Sequence, residues 1–142
     1  MWDLHNNVKV IRVIPPVAVG TTGTGQTGSI IDRAGFEEVE FGIHYGAITA
    51  TDATFTVTVL EGDATGSMTS VADADLLGTE SNAGIPQAAT RTDNSNENVS
   101  KRLGYKGIKR YVQVNVSSTI TAATPICVDA MLSRPAHAPV AT

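Results

Sequence analysis

Through much of this chain, apolar and polar residues alternate with a period of two. From Phe36 to Tyr45, Val39, Phe41, Ile43 and Tyr45 fall on one face, and Glu38, Glu40 and His44 on the other. That is the pattern of a strand with one face in a core and the other in water. Thr54 to Leu60 repeats it, with Phe55, Val57 and Val59 inward and Thr54, Thr56 and Thr58 outward. Arg110 to Ser117 places Val112, Val114 and Val116 inward, and Pro125 to Ser133 does the same with Ile126, Val128, Ala130 and Leu132. Val8 to Ile14 and Val99 to Tyr105 complete the set of strands.

Between these runs lie turn clusters. Pro15-Pro16 ends the first strand or marks an edge, since proline cannot donate to a ladder. Gly20 to Ser29 reads as a flexible loop. Ala47 to Asp52 and Glu61-Gly62-Asp63 read as turns, and Gly104 and Gly107 bracket a tight bend. Ser70 to Thr79 fits either a short helical turn or a distorted strand, and Asn82 to Asn98 a long polar loop. No segment sustains a helical period. The pattern predicts an all-β fold, an antiparallel β-sandwich or jelly roll of about seven or eight strands. Residues 1–142 form one domain on this reading, with an N-terminal arm at 1–7 and a Pro-rich C-terminal arm at 134–142 that is extended rather than packed in the sheet.

Composition sharpens this in two ways. Charged residues make up 17% of the chain and aromatics 5%, so the surface must be rich in Thr, Ser, Asn, Gly and Ala and tolerant of close packing against neighbours. The net charge of −4 weighs against non-specific nucleic-acid binding, which depends on neutralising phosphates. A single cysteine, Cys127, excludes an internal disulfide framework. Met1-Trp2-Asp3-Leu4-His5-Asn6-Asn7 shows no charged leader followed by an apolar run, and no apolar stretch approaches the roughly 20 residues that span a bilayer. A soluble protein made in the cytoplasm, without a membrane partner, is the expectation.

Motifs of catalysis or cofactor binding do not survive their context. Gly23-Thr24-Gly25-Gln26-Thr27-Gly28 matches G-x-G-x-x-G, but Pro15-Pro16 precedes it and a strand follows, so there is no βαβ unit to hold a dinucleotide. His5, His44 and His137 are far apart and lack ligand spacing, which argues against a metal. Glu61-Gly62-Asp63 and Asp73-Ala74-Asp75 fit neither a calcium loop nor a glycosidase pair and suit turn chemistry. Cys127 lies mid-strand, where a small buried residue is the default. Asn98-Val99-Ser100 and Asn115-Val116-Ser117 match a glycosylation sequon without a secretory context. No catalytic residue, metal or cofactor is assigned.

Charge is distributed unevenly. Five of the ten basic residues, Lys101, Arg102, Lys106, Lys109 and Arg110, fall within ten positions free of acids, with Tyr105 and Tyr111 interleaved or adjoining. Glu37 to Glu80 holds nine acids and no Lys or Arg. Such a chain is electrically two-ended, and complementary charge sets register and specificity in protein contacts. The basic run therefore reads as a contact with acidic surface on a neighbouring copy or another protein, in preference to nucleic acid or a merely solvated tip. Trp2, the only tryptophan, lies outside any predicted strand and reads as an interface anchor. The terminal Arg134, Pro135, His137 and Pro139 read as an arm that drapes over a neighbour.

Three segments carry a resemblance. Val-Lys-Val-Ile-Arg-Val-Ile-Pro-Pro-Val (8–17), Arg-Leu-Gly-Tyr-Lys-Gly-Ile-Lys-Arg-Tyr-Val-Gln-Val (102–114) and Leu-Ser-Arg-Pro-Ala-His-Ala-Pro (132–139) look like those of small structural proteins from the head module of tailed bacteriophages and prophages, similar to capsid decoration, or cement, proteins. The resemblance implies a virion protein that binds the outer face of the major capsid protein lattice as a homo-oligomer, dimer or trimer. It carries over no catalytic residue. Another virion component of the neck or tail, or a host-surface carbohydrate-binding module, are the alternatives.

Overall fold

The computed structural model describes residues 3–19, 25–120 and 124–140. Ten strands follow one another: β1 (Val8–Val19), β2 (Gly25–Thr27), β3 (Ile31–Asp32), β4 (Phe36–Tyr45), β5 (Phe55–Ala64), β6 (Ser67–Ser70), β7 (Leu76–Leu77), β8 (Val99–Tyr105), β9 (Tyr111–Ser118) and β10 (Thr124–Pro135). Two four-residue helices, α1 (Leu4–Asn7) and α2 (Glu80–Ala83), and a 3-10 turn at Asp73–Asp75 are the helical pieces. One sheet has the order β1-β10-β4-β8-β7; the other has the order β2-β9-β5-β6, with β3 also paired to β9. Every pairing of these strands is antiparallel. The fold is an antiparallel β-sandwich.

The period-two reading explains the core. In the first sheet Ile11, Ala130, Phe41 and Leu103 lie in one cross-strand row. In the second, Val59 faces Val114 and Val57 faces Val116. Inward side chains of both sheets merge into one buried cluster. Tyr45 and Phe55 meet edge-to-face across it, with centroids 5.7 Å apart, and the Tyr45 hydroxyl donates to the Ala83 carbonyl at 3.0 Å. Burial raises the Tyr45 pKa, because the phenolate would be stranded in apolar surroundings.

Some boundaries differ from expectation. β1 runs through Pro15-Pro16 to Val19, with its register shifting between Arg12 and Ile14 and again between Ile14 and Val17. Those irregularities let two prolines sit on an edge strand that has a partner on one side only. Glu61-Gly62-Asp63 does not turn the chain: β5 continues to Ala64. The ambiguous Ser70–Thr79 resolves into the end of β6, the 3-10 turn and β7.

The glycine-rich segment is also more than a loop. Residues 20–24 lie outside the described residues, but Gly25–Thr27 is β2, paired with Thr27 opposite Asn115 on β9. A Cβ at Gly28 would lie 2.6 Å from Val13 Cγ1 and closer still to the Val114 carbonyl oxygen. Gly25 and Gly28 allow close backbone approach.

The C-terminal arm is a correction. Arg134 and Pro135 belong to β10, Pro135 pairing with Phe36. The Ala136 N–H then donates to the Gly35 carbonyl (2.8 Å), and the Val140 N–H to the Asn6 carbonyl (3.0 Å). The tail folds back onto the sandwich and meets the N-terminal arm, where Asp3 caps α1 by accepting from the Asn6 N–H at 2.8 Å.

Candidate interaction surface

The basic run, Lys101 to Arg110, covers most of β8 and the five-residue connection that leads into β9. Arg33, on the segment between β3 and β4, organises the connection. Its Nε donates to the Lys109 carbonyl at 2.5 Å, Nη2 to the Gly107 carbonyl at 2.6 Å and Nη1 to the Glu37 carbonyl at 2.9 Å. The same guanidinium lies 5.3 Å from the centroid of the Tyr105 ring. The Lys106 N–H donates to the Asp75 carbonyl at 2.9 Å. Gly107 packs so tightly on Tyr105 that any Cβ there would collide with the ring.

Tyr105 is not an interface residue. Its side chain is wholly buried, because position 105 continues the inward face of β8 after Leu103. Its hydroxyl donates to Glu61 Oε2 at 2.5 Å and accepts the Lys109 N–H at 3.0 Å. Burial first, and the neighbouring Glu61 carboxylate second, raise the phenol pKa.

The charge asymmetry of the sequence is largely cancelled in space. β4 lies between β10 and β8, and β5 beside β9, so acidic and basic segments are neighbours. Lys109 Nζ lies 2.6 Å from Asp63, Arg110 makes a two-pronged pair with Asp32 at 3.0 and 2.7 Å, and Arg102 lies 3.8 Å from Glu40. Arg134 pairs with Glu37 at 3.1 Å and Glu38 at 3.3 Å. The hydrogen bond from Arg110 holds the Asp32 carboxyl below its ordinary pKa, and Asp63 holds the Lys109 ammonium above its own. Burial pushes Glu40 up, partly offset by Arg102. Three of the five cations assigned to a partner's acidic surface are therefore paired within the chain. Lys101 and Lys106 form no ion pair among the described residues.

One residue the sequence reading passed over stands out here. Ile108, at the apex of the connection, is 90% exposed. It is a lone β-branched residue between Gly107 and Lys109 outside either strand, and that placement was the available signal. Arg33 offered none, because its carbonyl partners Gly107 and Lys109 lie more than 70 positions away.

Of the other assigned residues, Trp2 lies outside the described residues. Arg134 is exposed and ion-paired, Pro135 is half-buried in β10, and His137 and Pro139 are exposed on the folded-back tail. His44 is exposed, as its strand position implied, with Nδ1 2.9 Å from Ser100 Oγ. Cys127 faces outward from β10 and is half-buried, where burial and Asp129 raise its thiol pKa. Among the described residues no group of three His, Cys, Asp or Glu side chains is arranged to hold a metal.

No protein-family model matches this chain, and no curated protein matches it. Among solved structures it is similar to a chain carrying the CBM22-1 and GH10 modules of Clostridium thermocellum endo-1,4-β-D-xylanase 10B, solved with xylohexaose. The identity is 12% and the TM-score 0.40, over 97% of this chain and 28% of that one. It is also similar to the Eiger TNF of S. frugiperda, at 7% identity and a TM-score of 0.34, over 96% and 92% of the two chains.

Proposed function

We propose that this protein is a capsid decoration protein of a tailed phage, binding the outer surface of the major capsid protein lattice as a homo-oligomer. The segments at 8–17, 102–114 and 132–139 suggest that role, and one structural observation supports it. Ile108 is presented to solvent on a connection fixed by Arg33, Tyr105 and the Asp75 carbonyl, beside the unpaired Lys106. A loop held this firmly loses little entropy on docking, and an exposed apolar apex beside a cation suits an apolar socket with an acidic rim. Repetition over a shell lets a modest contact accumulate into substantial stabilisation.

The carbohydrate-binding alternative needs an aromatic ring face open to solvent. Phe41, Tyr45, Phe55 and Tyr105 are buried, and Phe36 and Tyr111 are half-buried, with Arg110 5.1 Å from the Tyr111 centroid. Among the described residues no aromatic is exposed.

The test is to mix the purified protein with head shells assembled without it and image them by electron microscopy. Density on the outer face is expected, with occupancy reduced by Ile108→Asp or Lys106→Glu. Bare shells overturn the reading. Hundreds of copies per virion match decoration, and about a dozen or fewer match a neck ring of closed cyclic symmetry.

A further inference from the structure

We infer that the free edge of β1 is a self-association surface, on which two copies of this chain pair antiparallel about a two-fold axis at Val10. Three of the four edge strands are short: β7 has two residues, β2 three and β6 four. β1 has twelve. Sheets ordinarily keep exposed edges short, bulged or charged, because unpaired N–H and C=O groups recruit another strand. β1 keeps its far half out of reach. The Ser29 N–H donates to the Val13 carbonyl at 2.9 Å, and Pro15-Pro16 follow. The free stretch is therefore Val8–Arg12, whose one strand partner is β10.

That stretch is flanked by apolar surface. Val10 is 65% exposed and pairs with Met131, itself 38% exposed, on the outer face of the sheet. Leu4 of α1, 70% exposed, borders the same shallow concavity with Val8 and Val140. On no other sheet edge do three large hydrophobic residues gather in this way among the described residues.

Length and charge together choose the register: Val10 is the midpoint of the free stretch Val8–Arg12, so only centring there pairs all five residues. A two-fold axis normal to the sheet keeps each residue on its own face, so the pairing must be centred on one residue. Centring on Lys9 or on Arg12 sets like charges directly opposite each other, which is destabilising. Centring on Val10 places Val10 against Val10, Lys9 against Ile11 and Val8 against Arg12. No like charges then meet head-on, and the two exposed valines close over one another beside both copies of Met131. The result is a continuous sheet of twice five strands, isologous and closed. A second copy is favoured over a foreign strand because this register is self-complementary in both shape and charge.

This inference deepens the homo-oligomer part of the proposal above, and it is tested on the isolated chain without capsids. Sedimentation equilibrium should show a dimer. Val10→Lys, which puts two ammonium groups at the axis, should weaken it at least tenfold while leaving the circular dichroism and melting of the monomer unchanged. In a Cys127→Ser background, Val10→Cys should oxidise to a cross-linked dimer, and Arg12→Cys, two residues off the axis in each copy and so roughly 13 Å from its mate along the strands, should not. A wild-type chain that stays monomeric at millimolar concentration overturns the inference. So does a Val10→Lys dimer as tight as wild type, or cross-linking at Arg12→Cys in preference to Val10→Cys. A monomer that still coats shells would sink this edge and leave the decoration reading standing.

Discussion

The Tyr105 hydroxyl and the Glu61 carboxylate join the two sheets. Tyr105 ends β8 in one sheet, Glu61 lies on the inward face of β5 in the other, and the hydroxyl donates to Oε2 at 2.5 Å. Glu61 follows Phe55, Val57 and Val59 on the same strand face, so a carboxylate occupies the position where the core opens to the tip. The bond satisfies that acid and positions the hydroxyl to accept the Lys109 N–H. Core and candidate contact loop thus share a residue.

Tyr105→Phe removes both bonds and leaves Glu61 and the Lys109 N–H without this partner. A loss of about 1–3 kcal/mol is expected in urea unfolding. Glu61→Gln, whose amide oxygen still accepts, should lose less. Equal stability of Tyr105→Phe and wild type would show that the cross-sheet bond contributes nothing.

Arg33→Lys keeps the charge but loses the planar fork that reaches the carbonyls of Phe36, Glu37, Gly107 and Lys109. Amide exchange at residues 106–110 should accelerate about tenfold while Val112, Val114 and Val116 stay protected. Shell binding, if it uses Ile108, should fall in the same variant. Unchanged exchange at 106–110 would remove Arg33 as the organiser.

Arg91 performs a similar task for the long loop after α2. Nη2 donates to the carbonyls of Ala50, Thr51 and Ala53 at 3.1, 2.9 and 2.6 Å, and Nη1 to those of Pro86 and Asn96 at 3.2 and 3.4 Å. Arg91→Lys cannot replace that set and should cost about 1–3 kcal/mol. Protease cleavage within residues 86–98 should speed up with it. A variant as stable and as protease-resistant as wild type would refute the assignment.

The Arg110–Asp32 pair gives a pH signature. The Asp32 carboxyl sits below its ordinary 3.8 chiefly because Arg110 hydrogen-bonds the charged form. A depressed folded pKa contributes stability above the unfolded value, and this is lost as pH falls through the folded one. Asp32→Asn should lower stability slightly at neutral pH and flatten the decline below about pH 4, the effect being small because both ends are exposed and salt screens them. An identical acid limb in the variant would exclude the pair as a source of the slope.

At Gly28 there is no room for a methyl group between Val13 and the Val114 carbonyl. Gly28→Ala should destabilise by about 1–3 kcal/mol, read as a lower melting temperature. A variant that melts with wild type would show that β2 can shift away from β9 freely.

Much of the fold was written in the alternation of residues. β4 and β8 begin and end where the pattern predicted, and β5, β9 and β10 agree to within a few residues. The short strands β2, β3, β6 and β7 were not legible, because two to four residues cannot show a period and only a neighbouring strand defines them. The site was legible in part. Lys106 and the basic run were visible as composition, whereas Tyr105 was misplaced because a tyrosine among lysines looks exposed until the inward parity of Leu103 is followed one step further.

The sequence by itself determined the two-faced strands and hence the sandwich, because burying alternate side chains is a local consequence of the pleat. Tertiary structure alone decided where charge and apolar surface remain free. Antiparallel pairing brings residues distant along the chain side by side, so Asp32, Glu40 and Asp63 neutralise Arg110, Arg102 and Lys109, and what stays exposed includes Lys106 with Ile108 at one tip and Val10 with Met131 on one edge.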